Sequence, residues 1–320
     1  MAPRHVTRLA LVGYGRIAPK HLEVFRALGC EWTGACNRSE FGRAGAKTAG
    51  IPRVYAGISE MMRAEKPDGV VCCASFDQAE GAARELIPFG VPILMEKPPG
   101  TSPTQTRELS DLAARHKTPV QAGFNRRHYS VLRKALEEAG GRESLSSVTV
   151  DWSEDPKHLL TRFSREQVGL IVFANSLHGI DTLTWLAGSV PGAFIVGRNL
   201  GDPFRWVMAF QGLSERGVAV SFTSNWDAPG GWRLSFCSPG KRFTFAPLET
   251  CSIRERGSAG ERAIEPDEDD RRFKAGFPGQ ARMFLKTVHD HRVPAGFDLA
   301  SGLPAMDLAD RLTKACLGAQ

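Results

Sequence analysis

Through the first 124 residues, short apolar runs alternate with stretches of helical periodicity, and no other feature of the chain restricts its fold as much. Leu9 to Val12 is wholly apolar and reads as a buried strand. A glycine turn follows, then Ile17, Leu22, Phe25 and Leu28 recur on one helical face until Gly29 provides a C-cap. Trp32 to Cys36 is the next strand, and Val70 to Ala74 another, leading into a helix from about Gln78 to Ile87. Val91 to Met95 and Val120 to Phe124 are further strands on either side of a helix from Thr104 to Arg115. Strands this short and this apolar must be covered on both faces, and crossover helices do that in a doubly wound parallel sheet.

The rhythm changes after Ser146. Val148 to Trp152, Val218 to Phe222 and Arg233 to Phe236 alternate apolar with polar residues, and turns such as Pro229-Gly230-Gly231 and Pro239-Gly240 separate such stretches. Period-two alternation suits an open, mainly antiparallel sheet with one exposed face. One helix, roughly Gln167 to Leu186, is expected inside this region. The helical patterns Gln280 to His291 and Ala305 to Leu317 close the chain, and Glu265 to Arg272 reads as a solvated charged loop. The expected organisation is an α/β domain over residues 1–124 and an α+β domain over residues 125–320, with the final helices able to pack back on the first domain.

Composition narrows the functional classes. The 320 residues are 42% hydrophobic and 24% charged, as in soluble globular proteins. A net charge of +6 suits nucleic acid or an anionic small ligand. The basic residues form no block and do not interleave with aromatics, which makes nucleic acid the weaker reading. Seven cysteines without a C-x-x-C spacing point to reduced, buried thiols in a cytoplasmic protein and to no metal site. No apolar stretch has the length of a signal core or a bilayer span.

Gly13-Tyr14-Gly15-Arg16-Ile17-Ala18 is a G-x-G-x-x-A turn between the first strand and the first helix. The first glycine permits the tight turn and the second lets the backbone approach a pyrophosphate. The small third residue packs helix on strand, and the helix N-terminus offers N–H groups to the phosphates. Gly-rich turns are common, but the strand–turn–helix context makes a nicotinamide dinucleotide the expected ligand, held by Gly13, Tyr14, Gly15, Arg16 and Ile17. An acidic residue at the end of the second strand would bond the adenosine ribose of NAD; here stands Asn37-Arg38-Ser39. A neutral Asn37 does not repel a 2′-phosphate, and Arg38 can pair with it or stack on adenine, so NADP is favoured over NAD. The alternative for Arg38 is a solvated loop arginine.

Met95-Glu96-Lys97-Pro98 follows a buried strand, so its charged pair lands at the carboxyl end of the sheet, where such folds bind ligands. Asn175-Ser176-Leu177-His178-Gly179-Ile180-Asp181 contains H-x-x-D, and Phe124-Asn125-Arg126-Arg127 opens the second domain. With the N-terminal glycine turn, these motifs resemble the Gfo/Idh/MocA family of oxidoreductases over the whole chain. The resemblance implies a Rossmann domain followed by an open antiparallel sheet, and redox chemistry at a sugar or cyclitol hydroxyl. It places Glu96, Lys97, Ala74, Ser75 and Gln78 among the cofactor-binding residues. It places Asn125, Arg126 and Arg127 at the lining of an interdomain cleft, a surface ion pair being the alternative for either arginine, and the residues expected to meet substrate are Asn125, Arg127, Trp152, Asn175 and Asp181.

Hydride removal from an alcohol carbon requires that the hydroxyl proton leave too. Lys97 beside an oxidised nicotinamide would have its pKa lowered by the positive neighbour, and His178 titrates near neutrality. The resemblance, with this chemistry, implies Lys97 and His178 as the expected catalytic pair. The alternatives are an ion pair or phosphate contact for Lys97 and a packed, satisfied histidine for His178.

The sequence departs from the family pattern in two places. The sugar and inositol dehydrogenases carry an aspartate four residues before the histidine, one helical turn away, where this chain has Ala174. Asn175 offers a hydrogen bond from nearly the same face but accepts no proton, and Asp181 can orient the ring. Ala74-Ser75-Phe76-Asp77-Gln78 stands where many relatives show T-P and then histidine. These losses leave open a cofactor-binding sensor, or an enzyme that oxidises and re-reduces one substrate in a net epimerisation, elimination or hydrolysis. Trp152, Trp226 and Trp232 suit stacking on a sugar ring or packing at a subunit interface. The exposed face of the second sheet implies a homo-oligomer.

Overall fold

The computed structural model describes residues 6–318. The chain forms two compact units, the first taking in residues up to Asn125 together with Arg272–Gly302. Its sheet contains β1 (Arg8–Val12), β2 (Glu31–Cys36), β3 (Val54–Tyr55), β4 (Gly69–Cys72), β5 (Ile93–Glu96) and β6 (Val120–Gly123). The order is β3-β2-β1-β4-β5-β6, all parallel. The crossovers carry α1 (Ala18–Ala27), α2 (Glu40–Thr48), α3 (Ile58–Glu65), α4 (Ala79–Leu86) and α5 (Pro103–His116). Winding outward from β1 to β3 and then back to β4 beside β1 makes a topological switch point between β1 and β4. Ligands bind doubly wound sheets at the carboxyl ends of the strands flanking such a point. Every strand read from the sequence in this unit is present. The two-residue β3 is only half-buried and too short to show a period.

The second unit takes in Arg126–Arg271 and the chain from Leu303. It begins with a 3₁₀ turn over Asn125–His128 and α6 (Ser130–Ala139). Its sheet is built from β7 (Ser147–Trp152), β8 (Phe194–Asn199), β9 (Trp206–Leu213), β10 (Ala219–Asn225), β11 (Trp232–Ser238), β12 (Lys241–Phe245), β13 (Cys251–Glu255) and β14 (Glu261–Ile264). The order is β14-β13-β12-β11-β7-β10-β9-β8, antiparallel except where β10 lies parallel to β7. Alternate burial along β7 and β10 follows from side chains pointing to opposite faces.

Between β7 and β8, the single helix expected over 167–186 is broken. Two short helices, α7 (Pro156–Leu160) and α8 (Arg165–Gly169), precede a π-helical turn at Val172–Ser176 and then α9 (Leu177–Ala187). The expected charged loop over 265–272 contains the short helix α10 (Glu268–Arg272). It is tied down rather than loose: Asp270 accepts from the Ser130 amide at 2.7 Å, and Asp267 pairs with Lys134 at 2.6 Å.

The last two helices part company. The helix α11 (Phe277–Asp290) belongs to the first unit, where Phe277, Ala281 and Phe284 join Leu9, Leu11, Phe25 and Leu94 in one hydrophobic core. The helix α12 (Leu303–Gly318) belongs to the second, covering β8 and β9 beside α9. Of the two final helices, both expected to be able to pack back on the first domain, α11 lies in the first unit and α12 in the second. Burial selects which sheet an amphipathic helix covers, and its own periodicity does not record that choice.

Candidate functional site

In the first unit the strand–turn–helix junction has the geometry of an anion cradle. Gly13 has φ +83° and donates its N–H to Cys36 at 2.8 Å. A Cβ there would lie 2.7 Å from the backbone of Cys73 and Ala74, so the turn packs directly on the end of β4. A Cβ on Gly15 would meet nothing within 4 Å. The space beside Gly15 is thus open for a ligand to approach the backbone. Ala18 is fully buried, as the third small residue of the motif requires, and no side chain caps the start of α1. Tyr14 lies against α2, where a Cβ on Gly45 would be 2.7 Å from its ring. Arg16 is exposed beside the turn and Ile17 is the N-cap residue of α1.

The end of β2 is a second cluster. The Asn37 side-chain carbonyl accepts from the Ser39 amide at 3.0 Å, and Ser39 caps α2 through the Gly42 amide at 3.1 Å. Arg43 donates to the backbone carbonyls of Asn37, at 3.0 Å, and Arg38, at 2.6 Å. Arg38 is exposed and donates to the side chain of Gln78, the N-cap residue of α4. The fold therefore brings Arg38 and Gln78 together although 40 residues separate them. The Ala74 backbone stands against Gly13, and the Ser75 carbonyl accepts from the Gln78 amide at 2.8 Å. Burial pushes the Cys72 thiol up to about 11 and the Cys73 thiol well above its ordinary value, so both stay protonated beneath the turn.

Lys97 is half-buried immediately after β5. The carboxylate of Glu96 accepts from the ring of His21 on α1 at 2.7 Å. Both side chains are buried, and the His21 ring packs on Phe277 with centroids 4.6 Å apart. Glu96, expected at the cofactor, thus ties β5 to the helix that follows the glycine turn. Asn125 is also turned to internal work, donating its amide to the Ala275 carbonyl at 3.1 Å.

In the second unit Arg127 and Asp181, expected to meet substrate, are given to each other. Arg127 Nε donates to Asp181 at 2.9 Å, Nη2 donates to the second carboxylate oxygen, and each side chain is 1% exposed. Burial raises the Asp181 carboxyl while the neighbouring guanidinium lowers it. The pair clamps the 3₁₀ turn at Asn125–His128 to α9.

Glu154, just past the end of β7, is the residue that sequence reading missed. Buried, it accepts from the Trp152 indole at 2.9 Å and from the Ser176 hydroxyl at 3.1 Å. The Asn175 amide donates to both its oxygens, at 3.1 and 2.8 Å. The buried His178 ring lies 6.4 Å from the Trp152 indole. Trp152 stacks on Trp232 with centroids 4.5 Å apart, and Arg126 sits 5.1 Å above the first ring and 5.2 Å above the second. Trp226 is buried against Trp206, leaving Trp232, at 36% exposure, as the one of the three singled-out tryptophans with a substantial free surface. Burial draws the Arg126 guanidinium below its ordinary value, opposed by Tyr129, Glu249 and Glu154.

Among the described residues no helix is long and apolar enough to cross a membrane. Residues 7–124 match the model of the Gfo/Idh/MocA oxidoreductase family, NAD-binding Rossmann fold. Over 322 aligned residues the chain is 25% identical to the rhizopine catabolism protein MocA of Rhizobium meliloti, covering 96% of this chain and 94% of that one. It is 28% identical to the myo-inositol dehydrogenase Hyg17 of Streptomyces leeuwenhoekii, covering 87% of each. A dehydrogenase from Chromobacterium violaceum shares the fold with a TM-score of 0.85 at 16% identity, covering 98% of this chain and 96% of that one. The first unit thus matches the NAD-binding Rossmann model of the Gfo/Idh/MocA oxidoreductase family, and over its whole length the chain is similar to the rhizopine catabolism protein MocA and shares the fold of a dehydrogenase.

Proposed function

We propose that the protein transfers a hydride between a nicotinamide dinucleotide, NADP in preference to NAD, and a hydroxyl or keto carbon of a sugar, sugar nucleotide or cyclitol. The observation that carries this reading is the cradle at Gly13 and Gly15, closed on one side by β4 and open on the other, in the same sheet as Lys97. Gly13, Tyr14, Gly15, Arg16 and Ile17 hold the pyrophosphate. Ala74, Ser75 and Gln78 continue the cofactor site along β4. The preference for NADP rests on the neutral Asn37 and the guanidinium groups of Arg38 and Arg43 at the end of β2. When bound, the nicotinamide supplies the hydride acceptor or donor.

Lys97 holds the substrate oxygen and His178 takes or returns its proton, a role worth about 10²–10⁴-fold in rate for such a group. Asn175 and the exposed part of Trp232 contribute to the substrate side. The myo-inositol dehydrogenase likeness supports a polyol as substrate class. A second reading, transient redox without net oxidation or reduction, draws on Ala174, where the family's carboxylate is missing. On the open face of the second sheet, Phe194, Val196 and Leu213 are exposed, and the reading includes pairing of this face with a second copy.

The test is absorbance of reduced nicotinamide with each dinucleotide and a panel of polyols and keto sugars. Turnover with NADP exceeding that with NAD is expected, and Lys97→Ala lowers kcat by about 100-fold or more while retaining dinucleotide binding. A Lys97→Ala variant as active as the parent overturns the mechanism. Product formed with no net change in nicotinamide favours the second reading.

A further inference from the structure

His178 sits on α9 directly after the π-helical turn, and two residues of that turn are fastened to one carboxylate. Asn175 and Ser176, three and two residues before His178, both donate to Glu154. The third donor is Trp152, whose indole packs 6.4 Å from the His178 ring at 37° between planes. Gly179, the next residue, lies so close to that indole that a Cβ would come within 2.6 Å of Trp152 Cε3. Glu154 therefore holds His178 from two directions, through the backbone that leads into it and through the ring packed beside it. A buried carboxylate is costly unless its lone pairs are filled, and three donors converge on this one. A π-helical turn is an unfavourable local geometry that persists when side-chain bonds support it, frequently at functional sites.

We propose that Glu154 is the positioning residue for His178, supplying from the end of β7 the carboxylate that residue 174 cannot. The proposal rests on the oxidoreductase reading above for its catalytic meaning and on the Trp152–Glu154–Asn175–Ser176 network for its geometry.

The test is Glu154→Gln in the full-length protein, read by kinetics and by imidazole nitrogen NMR, with His178 assigned by the signal lost in His178→Ala. An amide of the same shape presents a donor where the carboxylate presented an acceptor, so at least one of the four bonds from the three donors is lost. The expected result is a kcat reduced at least ten-fold, a dinucleotide affinity within two-fold of the parent, and His178 resonances that shift and broaden. Ser176→Ala removes one donor while keeping the carboxylate, and should shift the same resonances with a smaller loss of kcat. It keeps the test decisive if Glu154→Gln does not fold. His178 resonances superimposable on the parent's in the variants overturn the proposal, as does an unchanged kcat in Glu154→Gln. A parent protein without turnover on any substrate counts against the oxidoreductase reading alone. The NMR comparison then decides the positioning claim.

Discussion

Gly13 and Gly15 stand two residues apart and answer to different constraints. Gly13 is required by the fold: its positive φ and the 2.7 Å approach of Cys73 and Ala74 leave no place for a side chain. Gly15 is open on its Cβ side, so no protein atom demands a glycine there, and on the proposed function the demand comes from the dinucleotide. Gly15→Val is expected to keep the parent's melting temperature within a few degrees while dinucleotide affinity, measured by fluorescence titration, falls more than about ten-fold. Gly13→Val should instead be destabilised by about 2 kcal/mol or more in urea melts. His128 carries a prediction of another kind. Burial, with Arg127 adding to it, pushes its imidazole from 6.5 down to about 3. Between those values the unfolded chain binds a proton that the folded chain refuses, so stability is complete above pH 6.5 and drains as the pH falls toward 3. The slope from this group is at most about 1.4 kcal/mol per pH unit. Urea melts of the parent and of His128→Gln should therefore converge in stability on acidification from pH 7 to pH 5; parallel curves would contradict the assignment. At this scale the glycines were legible because a G-x-G-x-x-A turn is local. Glu154 was not, because its donors at 175 and 176 lie a loop and two short helices further along the chain.

Among the elements, the break in the 167–186 helix matters most for the site. Apolar periodicity predicts one amphipathic helix there, and α9 has it, but the π-helical turn before it depends on bonds to a strand end that no periodicity contains. The same holds for Asp181. Three residues after His178, it reads as an orienting carboxylate; in the fold it pairs with Arg127 from the turn that opens the second unit. Removing one member of a buried pair leaves the other uncompensated, so Asp181→Asn should cost about 3–5 kcal/mol in chemical denaturation. If the variant instead melts with the parent and loses substrate affinity, Asp181 belongs to the substrate site after all. The strands of the first unit other than β3 were read to within a residue or two because wholly buried runs stand out from their neighbours. In the second unit β8, β9 and β12 to β14 were not singled out; β8 and β12 to β14 carry charged residues that interrupt the alternation.

For the whole molecule, the chain does not divide once but passes between its units after Asn125, after Arg271 and after Gly302. The first unit consequently depends on a helix made 150 residues after its last strand. Phe284 is fully buried in that core, edge-on to Phe25 with ring centroids 6.0 Å apart, and Phe284→Ala should lower stability by about 3–5 kcal/mol. A fragment ending at residue 125, lacking Phe277, Ala281 and Phe284, is expected to show weak, non-cooperative melting by circular dichroism; a sharp transition would show that α11 is dispensable. By itself the sequence determined the parallel sheet, the glycine turn, the position of Lys97 after a buried strand and the change to an antiparallel sheet. These are properties of contiguous segments, written in local periodicity and in the backbone freedom of glycine. Only the tertiary structure decided which sheet each late helix covers, that Arg127 and Asp181 neutralise each other, and that Glu154 gathers Trp152, Asn175 and Ser176 beside His178. Those outcomes follow from desolvation: a buried charge or apolar face takes whatever partner the folded chain brings near, at any distance in sequence.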